Sequence, residues 1–252
     1  MRADVLLVER GLAPSRTAAQ RLIAGGYVFT RIGRKGTRVA LTKPGLTLED
    51  DVAIEVEASE LSRFVSRGGL KLDAALTRVG FDVSGLRCLD VGQSTGGFTD
   101  CLLQRGAAHV VGVDVGHDQL HASLRGDPRV TCIEGLNARD LTSTQLAAPA
   151  DVGFDVIVAD VSFISLTKVL PQWPALLVSG GRVLSLVKPQ FEVGAGHVGR
   201  GGIVRDTSLY ASVETTIRSA CALVGLSVLD YFESPITGSD GNHEFFVYAE
   251  RP

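Results

Sequence analysis

The chain has 252 residues, 45% of them hydrophobic, and a formal net charge of −3, enough for one large α/β domain with a small appendage. No apolar run approaches the roughly 20 residues that cross a bilayer and no signal-like segment opens the chain, so a cytoplasmic protein without a membrane partner is expected. Cys88, Cys101, Cys132 and Cys221 lack CxxC spacing, which argues against a disulfide scaffold or zinc site and predicts buried small hydrophobes.

The charge is unevenly spread. Residues 1–43 carry nine Lys and Arg against two acids, a balance of +7, while the remainder carries 16 against 26, a balance of −10. A basic N-terminal unit points to a polyanion partner. Residues 2–10 have helical apolar spacing and Gly11 stops them; Ser15 can cap a second helix with Ala18, Leu22 and Ile23 inward. Short alternating strands follow over 26–33, 34–43 and 48–56. Two helices and a small sheet, with the pattern SR-x-x-A-x-x-LI-x-x-G-x-V from Ser15 to Val28, resemble the S4 RNA-binding fold. That resemblance assigns Arg16, Arg21, Arg34, Lys35 and Arg38 to phosphates and bases of folded RNA, with Arg63 and Arg67 beside them. Acidic residues from Glu49 to Glu60 close the unit, giving an expected S4-like domain over 1–60, a linker over 61–66 and a second domain over 67–252.

The second domain opens on a predicted helix from Arg67, with Leu72, Ala75, Leu76 and Val79 as its apolar stripe. Lys71 falls off that stripe near the helix start, where a lysine opposes the dipole, and a surface position is the plainer expectation. Residues 86–114 then read as strand, glycine turn, helix and strand, which is a cofactor cradle. Gly92, Gly96 and Gly97 let the backbone turn under a ligand. Asp114, at the end of the second strand, sits where doubly wound sheets grip a ribose. The turn G-Q-S-T-G-G lacks the GxGxxG of a dinucleotide site and follows Asp90 closely. S-adenosyl-L-methionine fits it better, having no phosphate, and is assigned to Asp90, Gly92, Ser94, Thr95, Gly96, Gly97, Phe98 and Asp114. A turn that only packs helix on strand is the plainer alternative.

Residues 116–124 are expected to be helical, with His117 and His121 more simply surface residues than metal ligands; no metal is expected. A third strand leads to Glu134 and Asn137, placed for an adenine contact. Phe154 to Ala159 forms a fourth buried strand, with Asp160 facing the cofactor crevice at its end. A helix over 167–177 leads to a fifth strand whose end exposes Lys188, and Pro189 stops it. The glycine-rich segment 193–206 is expected to be mobile over the site. A helix over 208–223 and two antiparallel strands finish the predicted seven-stranded sheet, a Rossmann-like α/β fold of the SAM-dependent methyltransferase kind.

Lys71, Asp160, Lys188 and Glu244 thus converge on one crevice with alternating charge, which meets the need of buried charges for partners. The set resembles the K-D-K-E tetrad of ribose 2'-O-methyltransferases of the RrmJ/FtsJ type. Closer still is the TlyA family, once called hemolysins. SRG-x-x-KL (Ser66 to Leu72), CLDVGQSTGGFT (Cys88 to Thr99), ADVSFISL (Ala159 to Leu166), LVKPQFEVG (Leu186 to Gly194), VGRGGIVRD (Val198 to Asp206) and GN-x-E-[FY]-F (Gly241 to Phe246) carry that resemblance. It implies a monomeric enzyme that methylates cytidine 2'-hydroxyls of ribosomal RNA within ribosomal subunits, with the four charged residues catalytic. Lys188 would orient and deprotonate the hydroxyl inside the frame of the other three. Where the family has R-x-W-V between domains, this chain has Ser62-Arg63-Phe64-Val65, which puts a family-like linker switch in doubt. The chain starts close to its first helix and stops just after its last strand, like shorter members associated with the large subunit, so a large-subunit cytidine is the expected main target, with small-subunit rRNA kept as a second one. The rival readings are a membrane-lytic hemolysin and an RNA-binding protein with an inactive second domain.

Overall fold

A computed structural model of the chain describes residues 1–13, 15–32, 37–56, 63–146, 153–238 and 241–252, without the side chains of Arg21 and Ile32. Arg34, Lys35 and Ser62 lie outside the described residues, as does the side chain of Arg21. The chain divides into two units, Met1–Leu70 and Lys71–Pro252.

In the first unit α1 (Ala3–Glu9) ends before Gly11, whose φ of 67° suits glycine. α2 (Arg16–Ala24) is capped by Ser15, whose Oγ accepts from the Ala18 amide at 3.2 Å. Leu7, Ala19, Leu22, Ile23, Val28 and Leu41 form the core between these helices and a small antiparallel sheet. That sheet has the order β2-β1-β3, made of β1 (Val28–Ile32), β2 (Thr37–Ala40) and β3 (Ile54–Val56).

α3 (Arg67–Val79) leads into a seven-stranded sheet of order β6-β5-β4-β7-β8-β10-β9. β4 (Arg87–Val91), β5 (His109–Val113), β6 (Val130–Ile133), β7 (Phe154–Ala159) and β8 (Leu177–Val187) run parallel. β10 (Phe245–Glu250) is antiparallel to both β8 and β9 (Ser227–Glu233). The chain builds outward from β4 to β6, then returns to β7 on the other side of β4. Such a reversal opens a crevice at the carboxyl ends of the strands. α4 (Gly97–Gln104) and α8 (Leu209–Leu223) cover the sheet, with Val213, Ile217 and Cys221 of α8 packed into a core that also holds the fully buried Trp173.

Several expectations are corrected. The helix over 116–124 shrinks to α5 (Ala122–Arg125), because Asp114 Oδ1 accepts from the Gly116 amide at 2.7 Å and Asp118 takes a left-handed φ of 56°. His117 and His121 therefore do not share a helix face, and no group of potential metal ligands occurs among the described residues. The helix over 167–177 is broken into 3-10 turns at Leu166–Lys168 and Leu170–Gln172 followed by α6 (Trp173–Leu176); Pro171 and Pro174 cannot donate the amide bonds a continuous helix needs. β8 starts at Leu177 rather than Arg182 and runs through Gly180 and Gly181. Cys132 is exposed, unlike the other three cysteines. No helix among the described residues is long and apolar enough to cross a membrane.

Candidate active site

The cradle turn is set by close backbone approach. Gly92 follows β4 with φ 84°, and a Cβ there would lie 2.7 Å from the carbonyl oxygen of Asp160, a contact that only glycine permits. The ends of β4 and β7 therefore meet directly beneath the turn. Ser94, with a left-handed φ of 48°, turns its amide onto Asp114 Oδ2 at 2.8 Å. Asp114 thus accepts one backbone amide on each oxygen and keeps lone pairs for further donors. Gly96, also left-handed, precedes α4 and brings its first turn under the cradle.

A cleft of about 740 Å³ lies over these strand ends, within the range of small-molecule sites. Gly92, Ser94, Asp114, Asn137 and Asp160 line it, together with apolar walls from Val113, Leu136 and Val161. Asn137 is half committed: its Oδ1 accepts from the Arg139 amide at 3.0 Å. Asp90, Thr95, Gly96, Gly97 and Phe98 are not on its wall. Asp90 lies beneath the turn, fully buried. Its Oδ2 accepts from the Thr99 hydroxyl at 2.7 Å, and that hydroxyl accepts from Gln93 Nε2 at 2.8 Å. Asp90 Oδ1 has no partner, and burial pushes the carboxyl up to about 7. Gln93 fills the space over Gly112 that a side chain there would occupy.

At the same strand ends stand two ion pairs. Lys71 Nζ lies 2.5 Å from Glu244 Oε2, and both residues are buried; the expected surface position of Lys71 is corrected by this partner. Lys188 Nζ lies 2.6 Å from Asp160 Oδ1 and donates to Ser162 Oγ at 2.7 Å. The antiparallel register that sets Phe245 opposite Val187 brings Glu244 and Lys188 to the same end of the sheet. The segment 193–206, expected to be mobile, is tied down by the buried Asn242. Its Oδ1 accepts from the Val204 amide at 3.0 Å and its Nδ2 donates to the Gly202 carbonyl at 2.9 Å.

Phe163, on the cleft wall, and Glu192, which braces its loop, had no role assigned from the sequence. Phe163 is 92% exposed with a left-handed φ of 64°, and its ring lies 5.4 Å from that of Phe191. Glu192 of α7 (Pro189–Glu192) accepts from Ser165 Oγ at 2.6 Å and the Leu166 amide at 2.7 Å, bracing the loop that carries Phe163. Burial raises the Glu192 carboxyl above its ordinary range.

In the first unit Arg38 lies 3.4 Å over the Phe29 ring, and Arg31 and Arg38 both reach Glu55. Arg16 reaches Asp4 at 3.3 Å. Arg63 lies over the ring of Phe64, and Phe64 is buried against the backbone of Gly69, where a Cβ would collide with its ring. Arg67 opens α3.

A family model described as FtsJ-like methyltransferase matches residues 64–251, and an S4 domain model matches residues 1–29. The 16S/23S rRNA (cytidine-2'-O)-methyltransferase TlyA of Mycobacterium tuberculosis is 44% identical over 247 residues, 98% of this chain and 88% of that protein. The chain belongs to the TlyA family of FtsJ-like methyltransferases. Another relative within the family, the 23S rRNA (cytidine-2'-O)-methyltransferase TlyA of Campylobacter jejuni, is 35% identical over 186 residues, 73% of this chain and 70% of that protein. A solved structure described as a hemolysin candidate from Streptococcus thermophilus superimposes with a TM-score of 0.76 at 40% identity, covering all of this chain and 88% of that one.

Proposed function

We propose that the protein transfers a methyl group from S-adenosyl-L-methionine to the 2'-hydroxyl of a cytidine in ribosomal RNA, with the large subunit as its main substrate. The observation that carries this reading is the pair of ion pairs, Lys71–Glu244 and Lys188–Asp160, at the strand ends where Asp160 also lines the cleft. The names of both relatives include a 23S cytidine ribose. The donor fits the cleft by its chemistry: Asp114 has acceptor capacity for two ribose hydroxyls, Val113 and Leu136 offer apolar walls for a base, and Asn137 a polar edge. The sulfonium supplies an already activated methyl.

The protein's own task is alignment and one proton. Asp160 and Ser162 fix Lys188 Nζ from two sides, so the amine meets an incoming hydroxyl in one orientation and is the group placed to orient it and take its proton. The buried Lys71–Glu244 pair supplies a fixed field beside it. Phe163, exposed on the rim, offers a face for a base whose ribose reaches Lys188. The basic first unit, through Arg16, Arg21, Arg34, Lys35 and Arg38, grips the RNA, with Arg63 and Arg67 between the two regions. The domains are read as 1–60 and 67–252 joined by 61–66, in a cytoplasmic, monomeric enzyme.

The test is to incubate unmethylated 50S and 30S subunits separately with the protein and labelled S-adenosyl-L-methionine, then map the modified nucleotide. Label on a 50S cytidine ribose, lost in Lys188→Ala, is expected. Full activity in a folded Lys188→Ala variant would overturn the site. Efficient labelling of 30S alone would overturn the subunit choice.

A further inference from the structure

Asp4, in the first turn of α1, is fully buried in a unit whose other described acids are exposed or half-exposed, and nothing in the methyl-transfer chemistry uses it. Its carboxylate collects four bonds. Arg2 grips it as a fork, with Nε at 2.9 Å from Oδ1 and Nη2 at 3.0 Å from Oδ2. Gln20 Nε2 donates to Oδ2 at 2.8 Å, and Arg16 Nη2 reaches the same oxygen at 3.3 Å. These donors, Arg2 first, hold the carboxyl well below the ordinary carboxylate range, so it is ionised wherever the protein is folded. The two arginines remain about half exposed, at 51% and 58% of their side-chain surface.

We propose that Asp4 is a positioning residue for RNA: it fixes the guanidinium groups of Arg2 and Arg16 side by side, leaving their other donors free to clamp phosphates of a folded RNA. The inference rests on reading the first unit as the RNA-binding part. A guanidinium is a planar fork with five donors, so a bond to Asp4 orients the rest without using them up. Free arginine side chains lose rotamer freedom when they bind; these two have lost it already. Arg2 precedes α1 and Arg16 opens α2, so one carboxylate sets the spacing of cations from two elements.

The proposal makes a prediction opposite in sign to simple electrostatics. Removing a negative charge near an RNA surface should tighten binding if only charge matters. Here Asp4→Asn should weaken it, because asparagine keeps one acceptor and turns an amide against the donors of Arg2 or Gln20. The experiment measures binding of the full chain to transcribed 23S and 16S rRNA across a salt series. Asp4→Asn is expected to bind about tenfold more weakly, the size of one lost charge-assisted contact. Its salt slope should fall by about one. Arg2→Lys and Arg16→Lys, at exposed side chains that tolerate the change, keep the charge and lose the fork, and should each weaken binding several-fold, by roughly the cost of a lost bidentate contact. Equal or tighter binding by a folded Asp4→Asn variant, or wild-type binding by both lysine variants, overturns the proposal. If Arg2→Ala and Arg16→Ala also bind as wild type, the RNA-binding reading of this face falls with it; if they bind weakly while the lysine variants do not, that reading stands and only the positioning role fails.

Discussion

Lys71 Nζ and Glu244 Oε2 meet at 2.5 Å although 173 positions separate them, and each side chain is less than one-tenth exposed. A pair so buried is costly to break and cheap to replace as a whole, because desolvation is borne by both charges and recovered only together. Lys71→Met or Glu244→Gln alone should lower stability by roughly 3–5 kcal/mol. The double variant Lys71→Met/Glu244→Leu should recover most of it while remaining inactive in methyl transfer. Denaturant unfolding with a parallel activity assay checks this; a double variant as unstable as the worse single one would count against it.

Phe163 should separate stability from function. Its ring is almost wholly exposed, so Phe163→Ala should leave the thermal midpoint within a degree or two of wild type, as surface changes usually do. If the ring stacks on the target base, methyl transfer to ribosomal subunits should fall about tenfold or more, with binding of S-adenosyl-L-methionine unchanged. Calorimetry of cofactor binding beside steady-state transfer rates decides it.

Asp90 gives the fold a pH dependence of defined sign. Burial raises its carboxyl to about 7 in the folded state, whereas an unfolded aspartate titrates near 3.9. Between those values the folded chain binds the proton and the unfolded chain does not. The contribution is therefore fully present below about pH 4 and lost as pH rises through about 7. Asp90→Asn cannot ionise, so its stability relative to wild type should climb across that window and level off above it. Thermal midpoints of both proteins at about pH 4, 6 and 8 test this; a difference constant with pH would remove Asp90 as the cause.

Gly92→Ala should act on the chemistry through the backbone. Its Cβ would press on the Asp160 carbonyl at 2.7 Å, and its φ of 84° is strained for alanine. A loss of about 1–3 kcal/mol is expected from the strained backbone alone. Methyl transfer should fall further than stability at this position, since Asp160 holds Lys188. Gly85→Ala is the control: its φ of 73° carries similar strain with nothing within 4 Å.

Much of this architecture was legible in the sequence because it rests on local signals. The apolar runs of β4, β5 and β7, each closed by an acid or glycine, announced parallel strands buried on both faces, and the turn after β4 announced the cradle. What failed depended on distant partners. Lys71 read alone looked like a surface residue, and only the set of four charges gave it a partner, because Glu244 lies far along the chain on another element. Residues 116–121 looked helical because their apolar spacing does not register the bond from the Gly116 amide to Asp114 that turns the chain aside. Phe163 has no periodicity to find; its left-handed backbone and open ring exist only once Glu192 braces the loop around it. The segment 193–206 is glycine-rich, yet Asn242, just before β10 and far along the chain, fastens it.

The position of β10 between β8 and β9 has a consequence for how the enzyme comes into being. It is the last strand of the sheet in chain order, yet it lies between β8 and β9 and runs against both, so β9 joins the sheet only through it. Glu244 stands at its leading end. Lys71 leaves the ribosome long before its counter-ion, and until residue 244 arrives that ammonium has no reason to be buried. Closing of the sheet and burial of the Lys71 ammonium are therefore one event, because both wait on the strand that Glu244 leads.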